Sequence, residues 1–341
     1  VKNVILTDKK YFELHKSKFE NKNIKIYNNY NCFKSIINQR LDYVMSSIVG
    51  LEGLVPTIKI IRYTKTIAIA NKESIICGWN LIKKELKKNQ TSFIPVDSEH
   101  FSLWYGLNNS NNRSIDKIYL TASGGPLYKL NLNKLNNVTI NQATKHPNWK
   151  MGKKISIDSA TLINKVYEVI EAKNIFNIPY SKIKILIHPK SYIHALLKFD
   201  NGLIKIIAHD TTMKIPIFNT LFHHSNIKLN SKDLNINTLN NLKLKNDEIK
   251  KFPMVKLLKY LPLKSSLYET VLVSANDTLV DLFLKKKIKF IEIQKNLFKV
   301  LKSKEFLKYK KIYAKNTNDI IKLNKYVRLK LLEKVYKSLL N

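Results

Sequence analysis

Residues 3–49 read NVILTDKKYFELHKSKFENKNIKIYNNYNCFKSIINQRLDYVMSSIV, and this stretch decides the fold. Short apolar runs, NVILT, IKIYN and DYVMSSIV, alternate with helix-like polar stretches around 9-KKYFELHKSKF and 31-NCFKSIINQR. Brief apolar runs suit buried strands, and strand–helix–strand alternation at this interval builds a parallel sheet of the doubly wound kind. A helix near Pro56 and the run 66-TIAIA extend the pattern. Such a sheet normally opens with a strand, a glycine-rich turn and a helix whose N-terminus takes a pyrophosphate. None of the 8 glycines precedes Gly50, so the stretch is expected to be the second half of such a domain, without its first phosphate loop.

Working outward, residues 80 to 235 mix apparent strands (SFIPVD, DKIYLTASGGP, KISID, KIKILIHPK, LLKFD, LIKIIAHD) with a helix at 159-SATLINKVYEVIEAKNIF. From about residue 255 the pattern turns helical, ending in KYVRLKLLEKVYKSLL, and reads as a small bundle. The expectation is an α/β protein with a partial Rossmann-like sheet, a central α/β domain and a C-terminal helical bundle.

Composition narrows the function. The net charge of +35, from 60 Lys and Arg against 25 Asp and Glu, invites a nucleic-acid reading. The lysines, however, are scattered beside Asn and Ile in almost every segment, as in 81-LIKKELKKNQ, and no aromatic-interleaved basic groove accompanies them. No nucleic-acid partner is expected. Cys32 and Cys77 show no pairing pattern, which points to a reducing compartment. No run approaches the roughly 18 apolar residues of a membrane span, and the opening is not a signal peptide, so no membrane association is expected. The expected location is the cytoplasm, or a plastid-like organelle if a targeting peptide preceded Val1.

Several short constellations could carry chemistry. In 95-PVDSEH, Asp97 and Glu99 stand two apart after an apolar approach, so an extended backbone would aim both carboxylates to one side, where they suit Mg²⁺ or Mn²⁺. An isolated D-x-E is also the ordinary solvated end of a strand. Asn164, Lys165 and Glu168, at helical spacings of three and four, share a face that could complete a metal site and hold a phosphate, or form a plain Lys–Glu pair. Ser159 and Thr161 follow KISID where a helix would begin, and there they could bind phosphate or merely cap. The turn in 119-YLTASGGPL permits close backbone approach to a ligand. In 146-HPNWKMG a Trp and a Met on an irregular loop suit a lid, or a loop pinned by a buried indole. Asn71, Lys72 and Glu73 in 68-AIANKES fall at a strand's carboxyl edge, where open sheets bind ligands.

In this order and spacing, ANKES, PVDSEH, LTASGGP, HPNWKMG, KISIDSATLINK with EVIEA, and IHPKSYIH resemble the motif series of the 1-deoxy-D-xylulose 5-phosphate reductoisomerase family. VMSSIVG, GLVPT and SAND are weaker members of the series. The resemblance implies a homodimeric enzyme of the non-mevalonate isoprenoid pathway that turns 1-deoxy-D-xylulose 5-phosphate, a small phosphorylated substrate, into 2-C-methyl-D-erythritol 4-phosphate with NADPH and Mg²⁺ or Mn²⁺. By the family pattern, Asp97, Glu99 and Glu168 hold the metal, and Glu99 and Glu168 also meet the substrate. Ser123, Ser159, Asn164 and Lys165 take the phosphate, and His146 closes on the substrate. Lys72 and Ser98 meet its hydroxyls or metal-bound oxygens, Trp149 and Met151 form the lid, and Asn71, Glu73 and Gly152 touch NADPH. The implied division is a partial NADPH-binding domain over 1–79 with its first βαβ unit missing, a catalytic domain over 80–237, a linker over 238–257 and a helical domain over 258–341.

The sequence departs from the family pattern in four places. The glycine-rich turn is expected before Val1. Val166 and Tyr167 follow the Asn–Lys pair where a glycine is usual, 208-AHDTTMKIP replaces a Gly-Pro-Asp element ahead of Met213, and Asp277 stands for a glutamate. A truncated relative unable to hold NADPH is the alternative these departures leave open.

Overall fold

The computed structural model describes residues 1–108, 114–246 and 251–340; residues 247–250 of the expected linker, and Asn341, lie outside the described residues. Strand β1 (Asn3–Ile5), helix α1 (Lys9–Glu20) and strand β2 (Lys25–Tyr27) form a parallel pair with its crossover. After the one-turn helix α2 (Phe33–Ile36) come β3 (Leu41–Ser46), α3 (Leu54–Ile61), β4 (Thr64–Ile69), α4 (Lys72–Asn89) and β5 (Ser92–Pro95). The last three strands make a parallel sheet in the order β3-β4-β5. The alternation read from residues 3–70 is therefore present, divided between a two-stranded and a three-stranded sheet.

Helix α5 (Ser98–Asn108) leads to a four-stranded sheet formed by β6 (Ile115–Ala122), β7 (Ile183–Ile187), β8 (Ile193–Phe199) and β9 (Ile204–Ala208), in the order β7-β6-β8-β9. Between β6 and β7 the chain makes α6 (Ile140–Thr144), α7 (Lys153–Thr161) and α8 (Ile163–Phe176). After β9 come the short helices α9 (Lys214–Leu221) and α10 (Ile236–Asn240), then the bundle of α11 (Tyr268–Leu284), α12 (Phe290–Lys302), α13 (Lys304–Leu307) and α14 (Thr317–Leu340). Buried residues of α3, α4, α8, α11, α12 and α14 share one core, so the bundle is packed onto the helices that flank the first sheet.

Three local readings are corrected. The extended segment containing Asp97 and Glu99 stops at Pro95, and α5 already begins at Ser98, so helix geometry aims Glu99. KISID is the body of α7 and not a strand, because Ser156, Ile157 and Asp158 are buried on a helical face. The single helix expected from Ser159 is two, broken at Leu162, whose φ of 64° is left-handed. Ser159 consequently sits in the last turn of α7 and not at a helix start. A leucine pays for that backbone conformation with strain that burial of its side chain, 2% exposed, offsets.

Candidate active site

The strands deliver their carboxyl ends to one cavity of about 270 Å³. Ala70 and Lys72 follow β4, Asp97, Ser98 and Glu99 follow β5, and Ser123 follows β6, while Ser159 from α7 and Asn164, Lys165 and Glu168 from α8 close the far wall. His146, Trp149 and Met151 come from the irregular segment between α6 and α7.

The carboxylate oxygens of Asp97, Glu99 and Glu168 lie within 4.8 Å of one another. Two ammonium groups are threaded between them. Lys72 Nζ stands 2.8 Å from Asp97 Oδ2 and 3.7 Å from Glu168 Oε1, and it donates to Asn164 Oδ1 at 2.7 Å. Lys165 Nζ donates to Glu99 Oε1 at 2.7 Å and to Glu168 Oε2. Asn164 Nδ2 donates to Glu168 Oε1 at 2.5 Å, and Ser98 Oγ to Glu99 Oε2 at 2.5 Å. Burial and the neighbouring Glu99 push the Glu168 carboxyl up to about 8, against the pull of both lysines. Burial also opposes ionisation of Glu99, but Lys165, His194 and the hydrogen bonds from Lys165 and Ser98 outweigh it and hold the group far below the usual carboxylate range. Lys72 stays charged: burial disfavours the ammonium, and Asp97, Glu168 and Glu171 more than compensate.

Three hard oxygen donors within 4.8 Å of one another and facing one cavity are a donor set that fits Mg²⁺ or Mn²⁺. Asp97 Oδ2 meets the Lys72 ammonium at 2.8 Å, a contact that a divalent cation bound here would share or displace. A second cluster lies behind the wall, with His100 Nδ1 3.9 Å from both Asp97 Oδ2 and Glu171 Oε2. Burial drives its imidazole toward the neutral form and its Glu171 carboxyl strongly upward, and neither residue reaches the cavity lining.

The His146 imidazole is neutral, its pKa lowered by burial to about 4. Its Nδ1 accepts from the backbone N–H groups of Asn148 (3.2 Å) and Trp149 (3.0 Å), so the ring proton is on Nε2 and donates to Ser123 Oγ at 3.0 Å. The Gly125 N–H also donates to Ser123 Oγ at 3.0 Å. With two donors received, the serine's own proton is left to donate to an anion in the cavity. Gly125, at φ 70°, passes so close to α7 that a Cβ there would lie 2.4 Å from Ser159 O, which explains a glycine between the two serines.

Of the fifteen positions given a role by the family pattern, Lys72, Asp97, Ser98, Glu99, Ser123, His146, Trp149, Met151, Ser159, Asn164, Lys165 and Glu168 line this cavity. Asn71, Glu73 and Gly152 do not. Nor does Thr161, the other phosphate candidate, which donates to Asp158 O at 3.2 Å. Asn71 caps α4, accepting from Ser74 N at 2.6 Å and donating to Gly50 O at 2.7 Å; Glu73 pairs with Lys154, and Gly152 precedes α7. The sequence reading did not single out Thr121, Ser191 and His194, although they line the cavity and belong to two of the quoted motifs. His194 stacks on His209 at 3.7 Å and meets Trp149 edge-on at 6.1 Å. Met213, despite its altered context, also faces the cavity.

Fold and cavity together define an open-sheet α/β enzyme whose site gathers carboxylates, lysines and hydroxyls for a small anionic substrate. The profile of 1-deoxy-D-xylulose 5-phosphate reductoisomerase matches residues 1–78, that of its C-terminal domain residues 93–176, and a further DXP reductoisomerase C-terminal domain residues 210–330. The 1-deoxy-D-xylulose 5-phosphate reductoisomerase of Pelagibacter ubique is 54% identical over 97% of this chain and 86% of its own length. That of a Sulfurihydrogenibium species is 40% identical over 80% of this chain and 72% of its own. A solved DOX-P reductoisomerase in complex with NADPH, fosmidomycin and magnesium superimposes with a TM-score of 0.89 at 28% identity, over 98% of this chain and 86% of that one. The Zymomonas mobilis enzyme in complex with NADPH gives 0.85 at 29% identity, with the same coverage. The chain belongs to the 1-deoxy-D-xylulose 5-phosphate reductoisomerase family.

Proposed function

We propose that this cavity is the reaction centre of a reductoisomerase that converts 1-deoxy-D-xylulose 5-phosphate and NADPH, with one proton, to 2-C-methyl-D-erythritol 4-phosphate and NADP⁺. The observation that carries the assignment is the convergence of Asp97, Glu99 and Glu168 with Lys72 and Lys165 beside the hydroxyls of Ser123 and Ser159. The reaction belongs to the non-mevalonate route to isoprenoids.

Asp97, Glu99 and Glu168 would hold Mg²⁺ or Mn²⁺. Bound there, the ion supplies Lewis-acid stabilisation of charge developing on the substrate's oxygens while the carbon skeleton rearranges. Ser123, Ser159, Asn164 and Lys165 receive the phosphate, with His146 fixing the Ser123 hydroxyl. Lys72 and Ser98 orient the substrate hydroxyls, and Trp149 and Met151 cover the site so that hydride transfer proceeds away from water. Asn71, Glu73 and Gly152 meet NADPH from outside the cavity wall. Residues 1–79 serve the cofactor, 80–237 the metal and substrate, 238–257 link, and 258–341 form the helical domain; α4 crosses residue 79 and is the wall the first two share.

A homodimer is part of the proposal. Among the described strands β9 is an edge of its sheet, and Ile204 and Ile206 in it, with Leu203 just before it, are each more than half exposed, an apolar edge that suits pairing with a second copy. No helix among the described residues is long and apolar enough to cross a membrane. We place the enzyme in the cytoplasm, whose reducing conditions suit the free thiols of Cys32 and Cys77. The deciding assay mixes purified protein, substrate and NADPH and follows NADPH absorbance. Oxidation that requires Mg²⁺ or Mn²⁺, stops with a chelator and is blocked by fosmidomycin is expected; no oxidation by the folded, metal-supplemented protein would overturn the assignment.

A further inference from the structure

Behind the cavity lies an ion cluster of which the proposed chemistry uses only Glu73. Lys154 is in the first turn of α7, two residues past Gly152 and three past Met151. Its Nζ lies 2.9 Å from Glu73 Oε1, 2.9 Å from Asp158 Oδ2 and 3.1 Å from Asp277 Oδ1. Asn276 Nδ2 donates to Asp158 Oδ1 at 2.8 Å, and Arg328 of α14 lies 3.3 Å from Asp277 Oδ2. The ammonium also stands 5.5 Å from the ring of the fully buried Tyr167.

None of these residues lines the cavity, yet Glu73, Lys154, Asp158 and Tyr167 each adjoin one that does. Glu73 follows Lys72 in the first turn of α4, Asp158 precedes Ser159 in α7, and Tyr167 precedes Glu168 in α8. Asp277 and Arg328 belong to the C-terminal bundle. One side chain therefore ties three cavity-bearing helices and the bundle to the end of the 146–151 segment. The segment's other end is fixed separately, through His146 on Ser123 and through Asn148 Nδ2, which donates to Pro189 O (2.6 Å) and Ser191 Oγ (2.9 Å). Trp149 and Met151 are suspended between these two anchors. Three buried carboxylates meeting at one ammonium are costly unless that cation stays in place, so the cluster has one well-defined arrangement.

We propose that Lys154 is a positioning residue: it is the fixed pivot on which the Trp149–Met151 segment closes, and through Asp277 and Arg328 it sets that closure against the C-terminal bundle. The inference rests on the reading of that segment as a lid over the reaction centre.

The test compares K154M, K154R, R328M and the double variant K154M/D277N with the parent enzyme. The double variant removes one carboxylate along with the cation, so that the fold survives if K154M alone fails. Measurements are kcat and KM for substrate and NADPH, thermal midpoint, and the change in Trp fluorescence on adding fosmidomycin with Mg²⁺, with W149F supplying the background. A folded variant lacking Lys154 is expected to lose about 10²-fold in kcat/KM, the scale of a misplacement near 1 Å, and to lose the Trp149 response, while K154R restores both. R328M, which leaves Lys154 in place, is expected to show the same loss in weaker form. If folded K154M or K154M/D277N keeps kcat and KM within about two-fold of the parent, or if activity follows only the folded fraction, the pivot is refuted. Should none of the Lys154 variants fold, an R328M enzyme with parental kinetics and fluorescence response refutes it. A parent that oxidises no NADPH would sink the reaction-centre assignment instead, and the fluorescence comparison would still decide the pivot.

Discussion

Glu168 is where burial and charge oppose each other most directly. Its carboxyl sits between two lysines, yet burial and Glu99 still push it up to about 8. A carboxylate that is poorly ionised in the empty cavity gains most from a divalent cation, which replaces the proton and satisfies the desolvated charge. The substitution E168Q keeps the shape and hydrogen-bonding reach but removes the charge. Because even an outer partner of a metal ligand is worth about 10–100-fold in affinity, E168Q is expected to weaken Mg²⁺ binding by at least about 100-fold. Isothermal titration with Mg²⁺ measures this without turnover, and an unchanged dissociation constant would remove Glu168 from the ligand set. The residue identities behind this site were legible in the sequence because carboxylates two apart and an Asn-Lys…Glu helical face are local patterns. Asp97 and Glu99 were nonetheless legible for the wrong geometric reason, since α5 rather than an extended strand aims Glu99.

At the scale of elements, the packing of α11 against α4 buries a second unusual acid. Glu269 Oε2 accepts from the backbone N–H and the hydroxyl of Ser266, both at 3.0 Å, while Oε1 is buried without a partner. Burial raises its pKa to about 7, against the lowering effect of the Ser266 hydrogen bonds. Below about 4.5 the folded and unfolded chains both hold this proton, so ionisation costs nothing. As pH rises from there toward 7 the unfolded chain releases the proton first, and folded stability falls until the folded group also ionises. The span of two to three pKa units corresponds to roughly 3 kcal/mol. Urea unfolding of the parent and E269Q at pH 4 and pH 8 isolates the contribution: the stability of the parent relative to E269Q is expected to drop by about 3 kcal/mol across that interval. Parallel curves would show that Glu269 titrates alike in both states. Elements of this kind mark the limit of sequence reading. The alternation of β1 through β4 is visible because its period is local, whereas the left-handed break at Leu162 depends on tertiary burial of a leucine and leaves no turn residue to read. The Lys154 cluster was hidden for a related reason: its members are spread from residue 73 to residue 328, and one lysine among so many gives no local sign of its partners.

For the whole molecule the open question of assembly falls on β9. Its exposed face alternates with a half-buried one, Ile204 and Ile206 pointing outward at 58% and 55% exposure, and its outer edge is unpaired among the described strands. A surface carrying +35 at neutral pH would keep copies apart by self-repulsion unless a specific apolar contact overcame it. Such an edge in a strongly basic chain therefore argues for a defined partner surface and against an indifferent one, and the proposed partner is a second copy of the chain. Placing a lysine at the centre of that face, as in I206K, adds charge where the two copies would meet and blunts the edge. Sedimentation equilibrium is expected to give twice the chain mass for the parent and a shift toward one chain mass for I206K. Salt distinguishes the apolar contact from an ionic one: a dimer held by burial should persist at high ionic strength, where screening also relieves the repulsion between the two basic copies. A parent that sediments as a single chain at every concentration and salt would show that β9 faces solvent in the working enzyme, and the cavity, whose lining this chain supplies by itself, would then act in a monomer.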